Sequence, residues 1–171
     1  HGFAFRFPGI LTRIAAGEAK RYKDELTAFL PGPPVLITGL PRSGTTILLE
    51  LLAGIPPFAA HTYRDVPFVL CPMPCHRFQK SGKGEAARER AHGDGILIDL
   101  DSPEAFEEMV WMRFFPEAYR GECIQPWQRC DNEAFRKFYR GHRRRIIALR
   151  RRQDPTRTRY VAKNNLLISG E

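Results

Sequence analysis

Val35 to Gly54, VLITGLPRSGTTILLELLAG, holds the residues best suited to chemistry. Gly39 and Gly44 bracket a turn-rich loop that continues into Thr45 and Thr46, in the spacing G-x-x-x-x-G-T-T. Glycines at these positions let backbone N–H groups converge on one point. A helix starting there adds its unpaired first-turn N–H groups and the positive end of its dipole. The chemistry is anion binding. A nucleotide-triphosphate loop of this spacing carries a lysine directly after the second glycine. Thr45 stands there instead, and the cation lies inside the loop as Arg42. A guanidinium offers a sulfate or phosphate a planar, two-pronged donor.

Such a loop needs a strand before it and a helix after it. Val35, Leu36 and Ile37 predict a short buried strand. Thr45 to Ala53 predicts a helix, with Ile47, Leu48, Leu51 and Leu52 as its apolar positions. Gly54 can cap it, and Pro56 and Pro57 prevent its continuation. Tyr160-Val161-Ala162 predicts a second core strand ending at Lys163. A cation at the carboxyl end of a strand beside the first would face the same crevice as the loop. A lysine at a strand end is also a common surface feature.

Leu40-Pro41-Arg42-Ser43-Gly44-Thr45-Thr46 resembles the 5′-phosphosulfate-binding loop of sulfotransferases that use 3′-phosphoadenosine 5′-phosphosulfate (PAPS), whose pattern is G-x-P-[RK]-[ST]-G-T-T after a first strand. Arg159 to Asn165, RYVAKNN, is similar to the family strand whose terminal lysine reaches the transferred sulfuryl group. The resemblance implies an α/β, P-loop-NTPase-like three-layer fold with a parallel sheet flanked by helices. It implies PAPS as donor and PAP as product, with no metal required. The sulfate acceptor would be a small molecule, lipid, carbohydrate or peptide. Pro41, Arg42, Ser43, Gly44, Thr45 and Thr46 would hold the phosphosulfate, and Arg42 and Lys163 would act in catalysis. Family members usually continue well past this length and carry an Arg and a Ser for the 3′-phosphate there, so the chain reads as incomplete at its C-terminus.

Transfer to a hydroxyl or amine needs a group to take the acceptor's proton. His61 to Pro67, HTYRDVP, resembles the TYRD-x-PF stretch of bacterial-type sulfotransferases. Tyrosyl-protein sulfotransferases place a base glutamate before a Thr-Arg pair. Aligned on Arg64 and Pro67, that position is Thr62. His61 and Asp65 are the nearest titratable candidates. His92 to Gly95 and Ser102 to Glu108 also look like parts of the bacterial-type subfamily, which would bring Glu107 or Glu108 to the acceptor side. The alternative for these two is a capped helix with solvated glutamates.

The remaining elements frame this site. The chain of 171 residues suits one domain, divided as a leading helix (1–33), the loop unit (34–57), an acceptor-side segment (58–132) and a basic helix with the second core strand (133–171). The leading helix is expected over Ile10–Leu30, with Leu11, Ile14, Ala15, Ala19, Tyr22, Leu26 and Phe29 on one face. A short helix is expected near Asp65–Leu70 and a short strand over 96–100. Asp101-Ser102-Pro103-Glu104 reads as a helix start. Residues 117–132 read as loop with Trp127 as anchor, and Asn132–Gln153 as a helix.

The net charge of +8 is concentrated. Residues 133–163 carry 12 Lys or Arg against Glu133 and Asp154, while residues 1–132 carry 15 against 16 acids. Arg143-Arg144-Arg145 and Arg150-Arg151-Arg152 spread around a helix, so each triplet cannot face a single ligand. A solvated face is the expected role, with steering of an anionic partner as the alternative. No recognition motif accompanies this charge, so nucleic acid is not expected as a partner. No apolar run approaches the ~20 residues of a membrane span, and no signal peptide is visible, which suggests a cytoplasmic protein. Cys71, Cys75, Cys123 and Cys130 have no usual zinc spacing and read as free thiols. Two other functions fit the loop less well: a P-loop nucleotide kinase or NTPase, and a non-catalytic polyanion-binding module that uses the basic helix.

Overall fold

The computed structural model describes residues 8–40, 42–66, 68–74, 76, 88–89, 97–119 and 132–165. In chain order these hold α1 (Pro8–Arg21), α2 (Lys23–Thr27), β1 (Val35–Ile37), α3 (Thr45–Ala53) and β2 (Phe58–Ala59). A 3-10 turn (Tyr63–Asp65), β3 (Arg88–Glu89), β4 (Leu97–Ile98) and α4 (Glu107–Phe114) follow. A second 3-10 turn (Pro116–Tyr119), α5 (Glu133–Arg151) and β5 (Arg159–Lys163) complete the set.

The centre is a three-stranded parallel sheet in the order β1-β5-β2. Its middle strand, β5, is buried from Tyr160 to Lys163 because it has a strand on each side and helices on both faces. Side chains alternate along it. Val161 meets Ile37, Leu49 and Ala60 on the α3 side. Tyr160 and Ala162 meet Ile146 and Ile147 of α5 on the other. The protein is therefore α/β, a small parallel sheet flanked by helices. β3 and β4 form a separate antiparallel pair.

Local signals and long-range pairing disagree at several places. The leading helix begins at Pro8, breaks at Tyr22 and ends at Thr27. Its buried positions include Ala15 and Leu26 as expected, but also Glu18, while Ile14 is exposed. On α3 the buried leucine is Leu49, whereas Ile47, Leu48 and Leu51 face outward. β1 lies at the sheet edge, so Leu36 is exposed too.

The helix expected from Ser102 starts only at Glu107. Pro103 instead bridges Thr62, Glu104 N–H bonds the His61 carbonyl, and Tyr63 and Arg64 N–H bond the carbonyls of Ser102 and Leu100. Pairing with residues 61–64 outcompetes the capping signal. The helix expected over 65–70 is replaced by the turn Tyr63–Asp65. Helix α5, expected over Asn132–Gln153, spans Glu133–Arg151; Asn132 is its N-cap, and its side chain accepts the Phe135 N–H at 2.9 Å. Cys71 is buried. Pro41, Cys75, Cys123, Trp127 and Cys130 lie outside the described residues, as does the turn at 92–95.

Candidate active site

The register of the sheet brings the site together. Ile37, the last residue of β1, lies opposite Lys163, the last residue of β5. The Asn164 N–H donates to the Ile37 carbonyl at 2.9 Å, so the two strand ends leave the sheet side by side. The loop after β1 thus opens beside Lys163.

Two left-handed backbone positions shape that loop, Arg42 at φ 67° and Gly44 at φ 82°. Gly44 is also the N-cap of α3. Turns of this kind orient successive N–H groups into a concavity that suits an anion. The arginine holds a backbone conformation that side chains disfavour, which is characteristic of loops whose shape serves a site. Gly39 is a packing requirement: a Cβ there would lie 2.7 Å from Ser43 Oγ and 2.8 Å from Thr45 Cγ2. The loop folds so tightly over the strand end that a side chain there would have to displace Ser43 and Thr45.

The charged groups take distinct positions. Arg42 is exposed on the loop, and no described carboxylate pairs with it. Lys163 is buried, and its Nζ donates to Thr46 Oγ1 at 2.8 Å. Thr45 is buried, with Oγ1 donating to Asn165 Oδ1 at 3.4 Å. The strand end and the first turn of α3 are thereby joined by two side-chain contacts.

Helix α4 supplies an acid at the same place. The Asn165 backbone N–H donates to the Glu108 carboxylate, and Lys163 acts on it electrostatically. Burial pushes this carboxyl above its ordinary value, against the lowering effect of Asn165 and Lys163, and Glu104 raises it further. Glu107, next in the chain, is turned the other way. Its carboxylate is fully buried and accepts hydrogen bonds from Trp111 Nε1 at 3.0 Å and from the Tyr139 and Tyr160 hydroxyls, both at 2.5 Å. The bland expectation of solvated glutamates therefore fails for both residues.

His61 and Asp65 occupy a different environment, an internal polar junction. Asp65 is fully buried. Its carboxylate accepts from Arg150 Nη2 at 2.8 Å, His61 Nδ1 at 3.0 Å, His76 Nε2 at 2.8 Å and the Thr62 N–H at 3.0 Å. Burial alone would raise its pKa. Arg150 and the two histidines outweigh that and hold it well below the usual carboxylate range. His61 Nε2 lies 2.9 Å from His142 Nε2. Burial, reinforced by Arg145, holds His142 well below the ordinary histidine value. His142 Nδ1 is buried and has no hydrogen-bond partner among the described residues. His61 and Asp65 thus bind the 61–65 turn to α5. Their polar atoms are occupied by the protein itself, which leaves no lone pair facing an acceptor.

The basic helix is absorbed into the fold in part, while Arg136, Lys137 and Arg140 are exposed. Arg145 and Arg150 are buried. Arg145 lies 3.3 Å from Glu18, and Arg150 serves Asp65, Thr62 and the Ala60 carbonyl. Arg152 makes a two-pronged bond to Glu25 at 2.7 and 2.9 Å. Arg151 donates to the carbonyls of Pro155 and Arg157. The expectation of a solvated face is corrected at Arg145 and Arg150, while Arg152 is exposed. The pattern of arginines showed charge but not direction, since the partners of Arg145, Arg150 and Arg152 lie far away in the chain.

Among the described residues no helix is long and apolar enough to cross a membrane. Comparison of the chain with protein-family models, with curated proteins and with solved structures gives no match in any of the three.

Proposed function

We propose that this chain is a sulfotransferase domain that transfers a sulfuryl group from PAPS to a hydroxyl or amine, with a P-loop-like arrangement of loop and sheet. The observation that carries this reading is the position of Lys163, at the mouth of the Gly39–Gly44 loop and bonded to Thr46. The residues fit a phosphosulfate. The loop carries two left-handed positions and an exposed arginine, and Gly39 packs closely against Ser43 and Thr45. Bound PAPS would supply the sulfuryl group at its 5′ end.

The division of labour follows from the geometry. Backbone N–H groups at the start of α3 and the Thr45 and Thr46 hydroxyls hold the anion, and Arg42 covers it from the loop. Lys163 and Arg42 neutralise the charge that develops as the S–O bond to the phosphate breaks and the new bond to the acceptor forms. Glu108 takes the acceptor's proton in this proposal. It stands beside Lys163, and its raised affinity for protons suits a general base. His61 and Asp65 serve instead as a structural junction.

The kinase or NTPase alternative needs a lysine after Gly44. Thr45 is there, buried against Asn165. The polyanion-module alternative needs the arginines of α5 outside, and Arg145 and Arg150 are buried with internal partners. Calorimetric titration of the full-length protein with 3′,5′-ADP and with ATP·Mg²⁺ tests the proposal. Saturable binding of 3′,5′-ADP is the expected result. Tight binding of ATP without 3′,5′-ADP binding would overturn it.

A further inference from the structure

At the amino end of β1, away from the loop, lies a cavity of about 580 Å³. One wall is the turn Pro31 to Pro34. The other is the face of α5 formed by Arg140, Gly141, Arg143 and Arg144, with Ile147 and Tyr160 at the base. The spacing 140, 143/144, 147 is that of one helix face. Three arginines therefore converge here, although the two triplets as a whole spread around the helix.

The walls are firm. Gly32 N–H donates to the Thr158 carbonyl at 2.9 Å, and Arg159 Nε donates to the Pro33 carbonyl at 3.0 Å. A Cβ at Gly32 would lie 2.6 Å from the Arg159 side chain, so the turn sits directly on the start of β5. Three prolines stiffen it further. Tyr160 is anchored through its hydroxyl to Glu107.

The charge of the cavity is unbalanced. Among the described residues no carboxylate forms an ion pair with Arg140, Arg143 or Arg144. Arg143 and Arg144 lie over the rings of Tyr139 and Phe29, 5.0 and 6.0 Å from their centroids, which orders them without neutralising them. Arg143 Nε is buried and has no hydrogen-bond partner. Elsewhere on the same helix, the buried arginines Arg145 and Arg150 are matched by Glu18 and Asp65. Three guanidinium groups around a cavity of ligand size, with proline, isoleucine and tyrosine walls, are complementary to an anion carried on an apolar body.

We propose that this cavity binds a small organic anion, a phosphate, sulfate or carboxylate borne on an apolar ring. It is a second site, at the opposite end of β1 from the phosphosulfate loop. The inference does not depend on the sulfotransferase reading.

Phenyl phosphate is a suitable probe, with inorganic phosphate as the arm that tests whether the ring contributes. Titrations use the full chain carrying Arg42→Ala, so that binding at the loop is suppressed. Saturable binding below about 1 mM is expected, with amide shifts by NMR centred on Gly32 and Gly141 and weaker binding of inorganic phosphate. Equal affinity for inorganic phosphate would overturn the apolar part of the proposal. Adding R140Q and R144Q should weaken phenyl phosphate about tenfold, while R140K with R144K should retain most of the affinity. R136Q with K137Q removes equal charge from the same helix outside the cavity and should leave binding unchanged. If R140Q with R144Q does not fold, R140Q alone, at an exposed residue, gives the same test at smaller amplitude. Absence of binding, shifts centred elsewhere, or equal weakening by the R136Q and K137Q pair would each overturn the site.

Discussion

Lys163 Nζ donates to Thr46 Oγ1 at 2.8 Å, across 117 positions of sequence. The bond joins the carboxyl end of the central strand to the first turn of α3. It fixes a cation at the mouth of the loop and makes Thr46 a positioning residue for it. Thr46→Val should lower the single-turnover rate of sulfuryl transfer about tenfold to a hundredfold, because a misplaced cation loses stabilisation of the transition state. The affinity for 3′,5′-ADP should change much less. Equal losses in rate and affinity would instead make Thr46 a simple binding contact.

Arg42 stands exposed at a left-handed backbone position. Arg42→Ala should weaken 3′,5′-ADP-sulfate and sulfate-ester analogues about tenfold to a hundredfold, the cost of losing a charge-assisted bond. Arg42→Lys should recover part of it. Calorimetry with the three proteins measures this, and unchanged affinity in the alanine variant would remove Arg42 from the site.

Glu108 works as a base only when ionised. Burial raises its pKa above the ordinary 4.5, so the rate should climb with pH through a midpoint above that value. Glu108→Gln should reduce the rate about 10²- to 10⁴-fold and abolish this limb of the pH profile. A variant that keeps the wild-type pH limb would show that another group accepts the proton.

Asp65 should matter for folding. Asp65→Asn leaves the buried Arg150 without its carboxylate and should cost about 3–5 kcal/mol in urea denaturation. In the wild type, a carboxyl held below its ordinary 3.8 contributes stability above that pH, which is lost as pH falls through its lower folded value. A variant of wild-type stability with a slow reaction would return Asp65 to the candidates for catalysis.

Glu18 gives a pH dependence of opposite sign. Burial, only partly offset by Arg145 and the Met73 N–H, pushes its carboxyl from 4.5 to about 7. The folded protein keeps this proton where the unfolded chain has lost it. The corresponding stability is present below pH 4.5 and disappears as pH rises through about 7. Glu18→Gln should remove a slope worth on the order of 3 kcal/mol across that window. Urea midpoints of both proteins between pH 4.5 and 8 provide the measurement.

The loop was legible because its information is local. Gly39, Gly44, the flanking apolar strand and the helix that follows lie within twenty residues, and each choice is set by backbone sterics and capping. Lys163 was legible for a related reason, since a lysine ending an apolar run marks a strand end wherever that strand goes. The sequence by itself therefore determined a strand, a glycine loop and a helix on an α/β frame. Only the tertiary structure decided what surrounds them. Glu107 and Glu108 are neighbours in one helix turn, yet one faces two tyrosines and the other faces Lys163. The arginines of α5 look alike in sequence, but Arg145 and Arg150 point at acids 127 and 85 residues away while Arg140, Arg143 and Arg144 face a cavity. His61 and Asp65, titratable and near the loop in sequence, are consumed by that same helix. Direction and burial depend on which distant segments pack together, and neither composition nor periodicity carries that information.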